Sequence, residues 1–396
     1  MIGNQENHKL RVAVLRSNPI APDPRVEKIL TALNGAGYDV MALGWDRTGS
    51  LPEAEICHNS QVTRLPIRAK FGSGMSNFPA LLRWQVGLVR WLARHRDQFD
   101  LIHACDFDTI LSALYCKLRW KKKVIYDIFD FYADHLRRTP NWVKSMIRRL
   151  DLWAINRADA VILVDDSRRE QIRGSQPKKL EIIYNSPPDA VLTADGVDSQ
   201  PRSSKLNITY VGLLQRERGL FEMLDVVLRH PEWRLDFAGF GGDEEEIAAQ
   251  ARMMPNVRWH GRIDYQKALA LSRQADVLFA TYDPGIANHR YSSPNKIFEA
   301  MMLAKPIIVA RGTNMDRIVL KANCGIVVEY GDKDELETAL MKLSREADLR
   351  ERLGRNGRRA YDETFSWAIM EKRLLALYHS ILDTAPGGNP TNTAGG

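Results

Sequence analysis

Only four cysteines occur in 396 residues, Cys57, Cys105, Cys116 and Cys324, and no two stand at a metal-binding spacing. Neither a disulfide framework nor a structural zinc site is expected, and a reducing cytoplasm is the default compartment. Long apolar runs are missing as well. None approaches the ~18–20 residues that cross a bilayer, and Met1 to Arg11 is polar, without the apolar centre of a signal peptide. Acidic charge is short in one half only. The formal net charge is +7, and residues 1–190 hold 29 lysines and arginines against 21 acids. That excess fits anionic lipid, an acidic acceptor or nucleic acid, and it equally fits solvated arginines on a soluble domain. No nucleic-acid-binding signature accompanies it, so no nucleic-acid partner is expected.

What is present describes a soluble α/β protein. Hydrophobic residues make up 44% and charged residues 27%, and the length exceeds one ordinary core. Short β-rich runs alternate with helical patterns. Leu10 to Leu15, Val40 to Leu43, Leu101 to Ala104, Lys123 to Tyr126, Ala160 to Val164 and Leu180 to Tyr184 read as strands. The alternation restarts at Leu206 to Val211, Arg234 to Ala238, Asn256 to Gly261, Ala275 to Ala280, Pro306 to Ala310 and Gly325 to Val328. The order predicts two Rossmann-like, doubly wound parallel sheets. Their expected spans are 1–189 and 206–365, with a polar linker at 190–205. A helix over 366–383 should return to the first domain, and 384–396 reads as a disordered tail. Residues 334–353 read as one amphipathic helix, and 166–173 reads as a helix.

Tyr291 to Pro306 carries the sharpest signal. Ile297, Met301 and Met302 fall at helical spacing. Ser292 or Ser293 can cap the helix, and Pro294 suits its first turn. The free N–H groups near Asn295 form an anion site, Lys296 adds a cation, and Glu299 can accept ribose hydroxyls. A capped core helix would use the same residues. Gly212 to Gly219 holds Arg216 and Arg218 between a strand and a helix, a plausible diphosphate cradle or an ordinary solvated loop. Gly239 and Gly241 allow close approach of a ligand to the backbone, or simply a tight turn.

In the first half, Asp106-Phe-Asp108 follows one strand end, and Asp127, Asp130, Asp134 and His135 follow the next. The acids could hold a metal diphosphate, but a single motif is weak support for that. Arg25, at the first helix start, either meets an anion or has a surface or capping role. Residues 81–96 and 136–156 combine arginine with tryptophan, which suits an anionic membrane surface as well as a helix packed on the sheet.

Ser293-Pro-Asn-Lys-Ile-Phe-Glu299, with Ala304-Lys-Pro306 after it, resembles the donor-binding signature of GT4-family, GT-B glycosyltransferases. Glu299 matches the second of the two glutamates usual there, and Tyr291 stands at the first. Gly212-Leu-Leu-Gln-Arg-Glu-Arg-Gly219 is similar to the family's glycine-rich loop, with Arg218 at its lysine position and Leu213 at its arginine position, for which Arg216 can substitute. Phe129 stands where a family histidine lies near the transferred sugar, and His135 could fill in.

The resemblance implies two Rossmann-like domains facing a central cleft and a retaining, metal-independent transfer of a hexose. The donor is an NDP-sugar, UDP- or GDP-linked, with no cofactor or metal. The acceptor is a glycan or lipid-linked molecule of cell-surface polysaccharide synthesis, at a cytoplasmic site on or near the plasma membrane. It further implies donor contacts from Gly212, Arg216, Arg218, Gly239, Gly241, Gly261, Arg262, Ile263, Tyr291, Ser293, Asn295, Lys296, Ile297 and Glu299. Arg218 and Lys296 would act on the departing diphosphate, and Asp130, with His135 or Asp106, would orient the acceptor. An NDP-sugar epimerase of the same fold and a non-catalytic partner subunit are the two rival readings.

Overall fold

Eight short runs rich in Val, Ile and Leu form the first sheet. They are β1 (Arg11–Arg16), β2 (Asp39–Asp46), β3 (Ala54–Cys57), β4 (Ser60–Pro66), β5 (Leu101–Cys105), β6 (Lys123–Ile128), β7 (Ala160–Leu163) and β8 (Leu180–Ile182). Their order is β3-β4-β2-β1-β5-β6-β7-β8, and all pairs are parallel except β3 with β4. Helices cover the sheet, so β5 and β7 are buried throughout, and the only polar side chain on either is His103 of β5. The computed structural model describes residues 10–69, 77–136, 139–189 and 206–382. The predicted linker and tail lie outside these.

The chain divides into two units, Met1–Ile183 with Glu371–Gly396, and Tyr184–Met370. The boundary precedes the expected 189 because Tyr184 packs with Phe298 and Phe365, at centroid distances of 5.6 and 5.0 Å. The last helix, Trp367–Leu382, belongs to the first unit from Glu371 onward. There Tyr378 hydrogen-bonds His103 of β5 at 2.7 Å.

The second sheet contains β9 (Asn207–Leu213), β10 (Arg234–Phe240), β11 (Val257–Trp259), β12 (Val277–Ala280), β13 (Ile307–Ala310) and β14 (Gly325–Val328), in the order β11-β10-β9-β12-β13-β14. All pairs are parallel. In both sheets the order reverses beside the first strand of the unit. Ligands of such sheets bind at the carboxyl ends on either side of that reversal.

Two expectations are corrected, and one pair of strands is added. The β3–β4 hairpin was not foreseen, since its strands alternate weakly and Ile56 is exposed. The 334–353 helix is two helices, Lys333–Arg345 and Ala347–Ala360. Arg350 donates to the carbonyls of Leu343 and Ser344, capping the first of them. The 166–173 helix shrinks to a 3-10 turn, Asp166–Glu170, started by the Asp165 side chain accepting from Ser167 N.

Helix Asn141–Arg157 is fixed to the first sheet by a buried pair. The Tyr126 hydroxyl donates to Asp151 Oδ1 at 2.7 Å, while Asp151 Oδ2 is buried without a partner. Burial pushes the Asp151 carboxyl up to about 7, against the pull of the Tyr126 hydrogen bond. Between about pH 4 and 7 the folded chain therefore holds a proton that the unfolded chain has lost, so stability falls as pH rises through that window. Asp106, which burial pushes up to about 6, adds to the same slope. Asp151→Asn should gain ~1–3 kcal/mol over the parent at pH 8 and show a shallower decline between pH 4 and 7 in urea unfolding. Equal slopes for the two proteins would show Asp151 ionised in both states.

Candidate functional site

In the second unit, three glycines bring the ends of β9 and β10 together. Gly239 has φ 144°, and a Cβ there would lie 1.7 Å from Gly212 O. A Cβ at Gly241 would lie 2.1 Å from Leu214 O, and one at Gly212 2.2 Å from Lys296 Nζ. Only glycine leaves room for this approach. The turn Arg216–Arg218 follows β9 and ends at Gly219, whose φ of 71° starts helix Leu220–Arg229.

Helix Asn295–Met302 points its N-terminus to the same edge. Pro294 is its cap residue, not part of its first turn, and no side chain caps the helix. Ser293 Oγ and Asn295 Oδ1 are buried without partners. The predicted serine cap is therefore absent, and the first N–H groups keep their capacity for an anion.

Lys296 reaches back over Gly212. Its Nζ lies 4.5 Å from the Tyr210 ring centroid and donates to the Tyr282 hydroxyl at 3.3 Å. The Arg218 guanidinium stacks on the other part of Tyr282, 4.0 Å from the ring centroid, and its Nε is buried without a partner. Among the described residues neither cation is in an ion pair with a carboxylate. Burial raises the Tyr282 phenol, but Lys296 and Arg218 outweigh it and bring the group below the ordinary tyrosine value. Burial lowers the Lys296 ammonium, and the two phenols more than restore it. Two cations without an acid, beside an uncapped helix start and the half-buried backbone of Gly212, form a site for a dianion such as a diphosphate.

The other predicted donor residues distribute around this centre. Gly261 has φ 68° and accepts from Gly239 N at 2.9 Å. Arg262 stacks on Phe240 at 4.5 Å, and Ile263 is half-buried beside it in the chain. Glu299 accepts from the Tyr265 hydroxyl. Tyr291 is half-buried at the end of the short helix Ala287–Arg290, and Ile297 is wholly in the core. Arg216 goes elsewhere: it stacks on Phe221 at 4.2 Å and pairs with Glu246 at 3.0 Å on an exposed surface. Tyr210 and Tyr282 were missed by sequence reasoning. Each is an aromatic residue in or just after a central strand, which reads as ordinary core.

The acidic cluster of the first unit is largely occupied by its own partners. Asp106 holds φ 64° at the end of β5. Its Oδ1 accepts from Phe129 N at 2.8 Å and Asp130 N at 3.4 Å, and its other oxygen pairs with Arg16. Arg16 also pairs with Asp23 at 3.0 Å and stacks on Phe129 at 4.1 Å. Asp106 thus ties the ends of β1, β5 and β6 together, which offsets the ~1–3 kcal/mol that such a backbone conformation costs. Arg25 is buried and pairs with Asp127 at 2.9 Å, so the anion it meets is internal. Burial would raise the Asp127 carboxyl, but Arg25 and His103 hold it below its usual range. Asp130 pairs with Arg168 at 2.8 Å, and its side chain keeps 43% exposure. Asp134 accepts from Gln171 at 2.6 Å. His135 ends the short helix Tyr132–His135, and its side chain lies outside the described residues.

Two family models match. Residues 25–186 match Glycosyltransferase Family 4, and residues 197–360 match Glycosyl transferases group 1. The chain belongs to the family 4, group 1 glycosyltransferases, and its two α/β units are those of the GT-B fold. It is 26% identical over 227 residues to the phosphatidyl-myo-inositol mannosyltransferase of Mycobacterium leprae, covering 56% of this chain and 59% of that protein. It is 31% identical over 99 residues to the capsular polysaccharide glycosyltransferase CapM of Staphylococcus aureus, covering 25% of this chain and 26% of the other. The chain thus spans less than two thirds of these relatives. Among solved structures, sucrose-phosphate synthase of Thermosynechococcus elongatus superposes with TM-score 0.76 at 16% identity, over 95% of this chain and all of the other. Anabaena HepE, solved with UDP and glucose, does so with TM-score 0.68 at 14% identity, over 94% and 100%. Both likenesses concern the fold.

Gly239→Ala should destabilise the protein by ~1–3 kcal/mol, read as a lowered Tm, because the new Cβ meets backbone that has nowhere to go. Gly242→Ala, three residues on with open space around it, should be neutral within ~0.5 kcal/mol. Equal effects would mean that the β9–β10 approach is not tight.

Proposed function

We propose that this protein transfers a hexose from a nucleoside diphosphate sugar to a glycan or lipid-linked acceptor, with retention of anomeric configuration and without a metal. The observation that carries the reading is the pairing of Arg218 and Lys296 around Tyr282 at the uncapped start of helix Asn295–Met302. As the sugar–oxygen bond breaks, negative charge grows on the departing diphosphate. Two fixed cations and helix N–H groups stabilise that charge without reorganising, and terms of this kind contribute several kcal/mol. They take the part that a divalent cation plays where a metal holds the diphosphate.

Glu299 would accept the ribose hydroxyls, exchanging its Tyr265 contact for them. Gly261, Arg262 and Ile263 would meet the base, and Tyr291 the sugar or its phosphate. UDP and GDP both remain candidates: HepE was solved with UDP, while another relative is named a GDP-mannose-dependent mannosyltransferase. Asp130 is the acceptor-side carboxylate of this reading, because its side chain retains exposure, whereas Asp106 serves as scaffold. A lipid-linked acceptor would put the reaction at the cytoplasmic face of a membrane, in the synthesis of surface polysaccharide.

NDP release from UDP- and GDP-sugars, followed in the presence of EDTA, tests the proposal. Arg218→Ala and Lys296→Ala should each lower kcat by ~10²–10³, and Glu299→Ala should act mainly on KM. Conversion of the sugar without NDP release would favour an epimerase. Failure of every nucleotide sugar to raise the Tm would remove the donor site altogether and favour a partner subunit.

A further inference from the structure

Three helices of the first unit, Phe78–Arg94, Phe107–Trp120 and Asn141–Arg157, pack side by side, the middle one against both others. Together they carry nine arginines and lysines and two acids. Asp151 is fully buried, and Asp108 is half-buried with one carboxylate oxygen sealed from solvent. The outward face of all three is therefore basic and has no exposed acid.

That face is also apolar. On Asn141–Arg157 the four residues Trp142, Met146, Leu150 and Trp153 are exposed, Trp142 by 71%. At 100° per residue they fall within an arc of about 80°. Arg149 and Arg157 border or enter the same arc, and Arg157 stacks on Trp153 at 5.6 Å. The buried Asp151 points the opposite way. Leu118 on the middle helix is 73% exposed, next to exposed Arg119. On Phe78–Arg94, Phe78, Leu82 and Val86 form a second exposed stripe with Arg83 and Arg90 on one flank.

We infer that this three-helix face is a docking surface for a bilayer rich in anionic lipid. The charge selects the occupant. A second copy of the chain on this face would set arginine against arginine. Nucleic acid would engage the arginines and stack bases on the tryptophans, but it would leave Met146, Leu150, Leu118, Leu82 and Val86 against water. An anionic bilayer satisfies both: guanidinium groups meet headgroup phosphates, while tryptophan, methionine and leucine enter the boundary with the acyl chains. The helices lie on the surface in this arrangement, and no described helix is long and apolar enough to cross a membrane.

Co-sedimentation of the full chain with vesicles tests this without any glycosyl transfer, so it can fail or succeed independently of the proposed activity. Binding is expected to vesicles of phosphatidylcholine with phosphatidylglycerol, to weaken with added salt, and to be absent with phosphatidylcholine alone. Arg149→Glu with Arg157→Glu should lower partitioning about tenfold or more. Trp142→Ser with Met146→Ser should do likewise while leaving the Tm unchanged, since both side chains are exposed. Undiminished vesicle binding by either double variant would overturn the inference. So would equal binding to neutral vesicles, or a dimer in solution that Trp142→Ser with Met146→Ser dissociates.

Discussion

Two positive charges held close together without an acid are the constraint around which the second unit is arranged. Lys296 and Arg218 repel each other, and burial makes that repulsion stronger. Tyr282 relieves it by accepting from the ammonium with its hydroxyl and facing the guanidinium with its ring. The ammonium has room only because residue 212 lacks a side chain, and Gly212 has its position only because Gly239 admits its carbonyl. Helix Asn295–Met302, the β9 turn and the β10 turn are thus one mechanical unit. The compensation by a phenol is partial, which leaves the site suited to a doubly charged ligand.

The first unit solves its charge problem in the opposite way. Its acids and arginines cancel internally: Arg25 with Asp127, Arg16 with Asp23 and Asp106, Arg168 with Asp130. Breaking a buried pair such as Arg25–Asp127 from one side would cost about 3–5 kcal/mol, so Arg25, Asp127 and Asp106 act as scaffold, while Asp130 keeps an exposed side chain beside Arg168. Positive charge that is not cancelled inward appears on the outer helices, together with exposed tryptophan. One unit therefore keeps its unmatched charge in a site, and the other on a face.

The alternation of strands and helices was legible because fully buried parallel strands are continuous apolar runs bounded by turn residues. The hairpin β3–β4 was not, because an edge hairpin half in water lacks such runs. Glycine, lysine and glutamate at 212, 296 and 299 were visible as local motifs. The roles of Tyr210 and Tyr282 were not, since an aromatic residue at a strand end reads the same whether it fills a core or brackets a cation. Arg216 and Arg218 were indistinguishable by composition. A two-residue difference on a 3-10 turn sends one to Glu246 and the other to Tyr282.

The sequence by itself determined the two α/β units, the family and the short list of polar residues near the strand ends, because hydrophobic periodicity and glycine placement are local properties. Tertiary structure decided which of those residues are spent on one another. Asp106 and Asp127 lie at strand ends as a site would require, yet their partners come from Arg16 and Arg25, some ninety to a hundred residues away in sequence. Charge compensation depends on distance in space, and the chain's order in sequence does not record it.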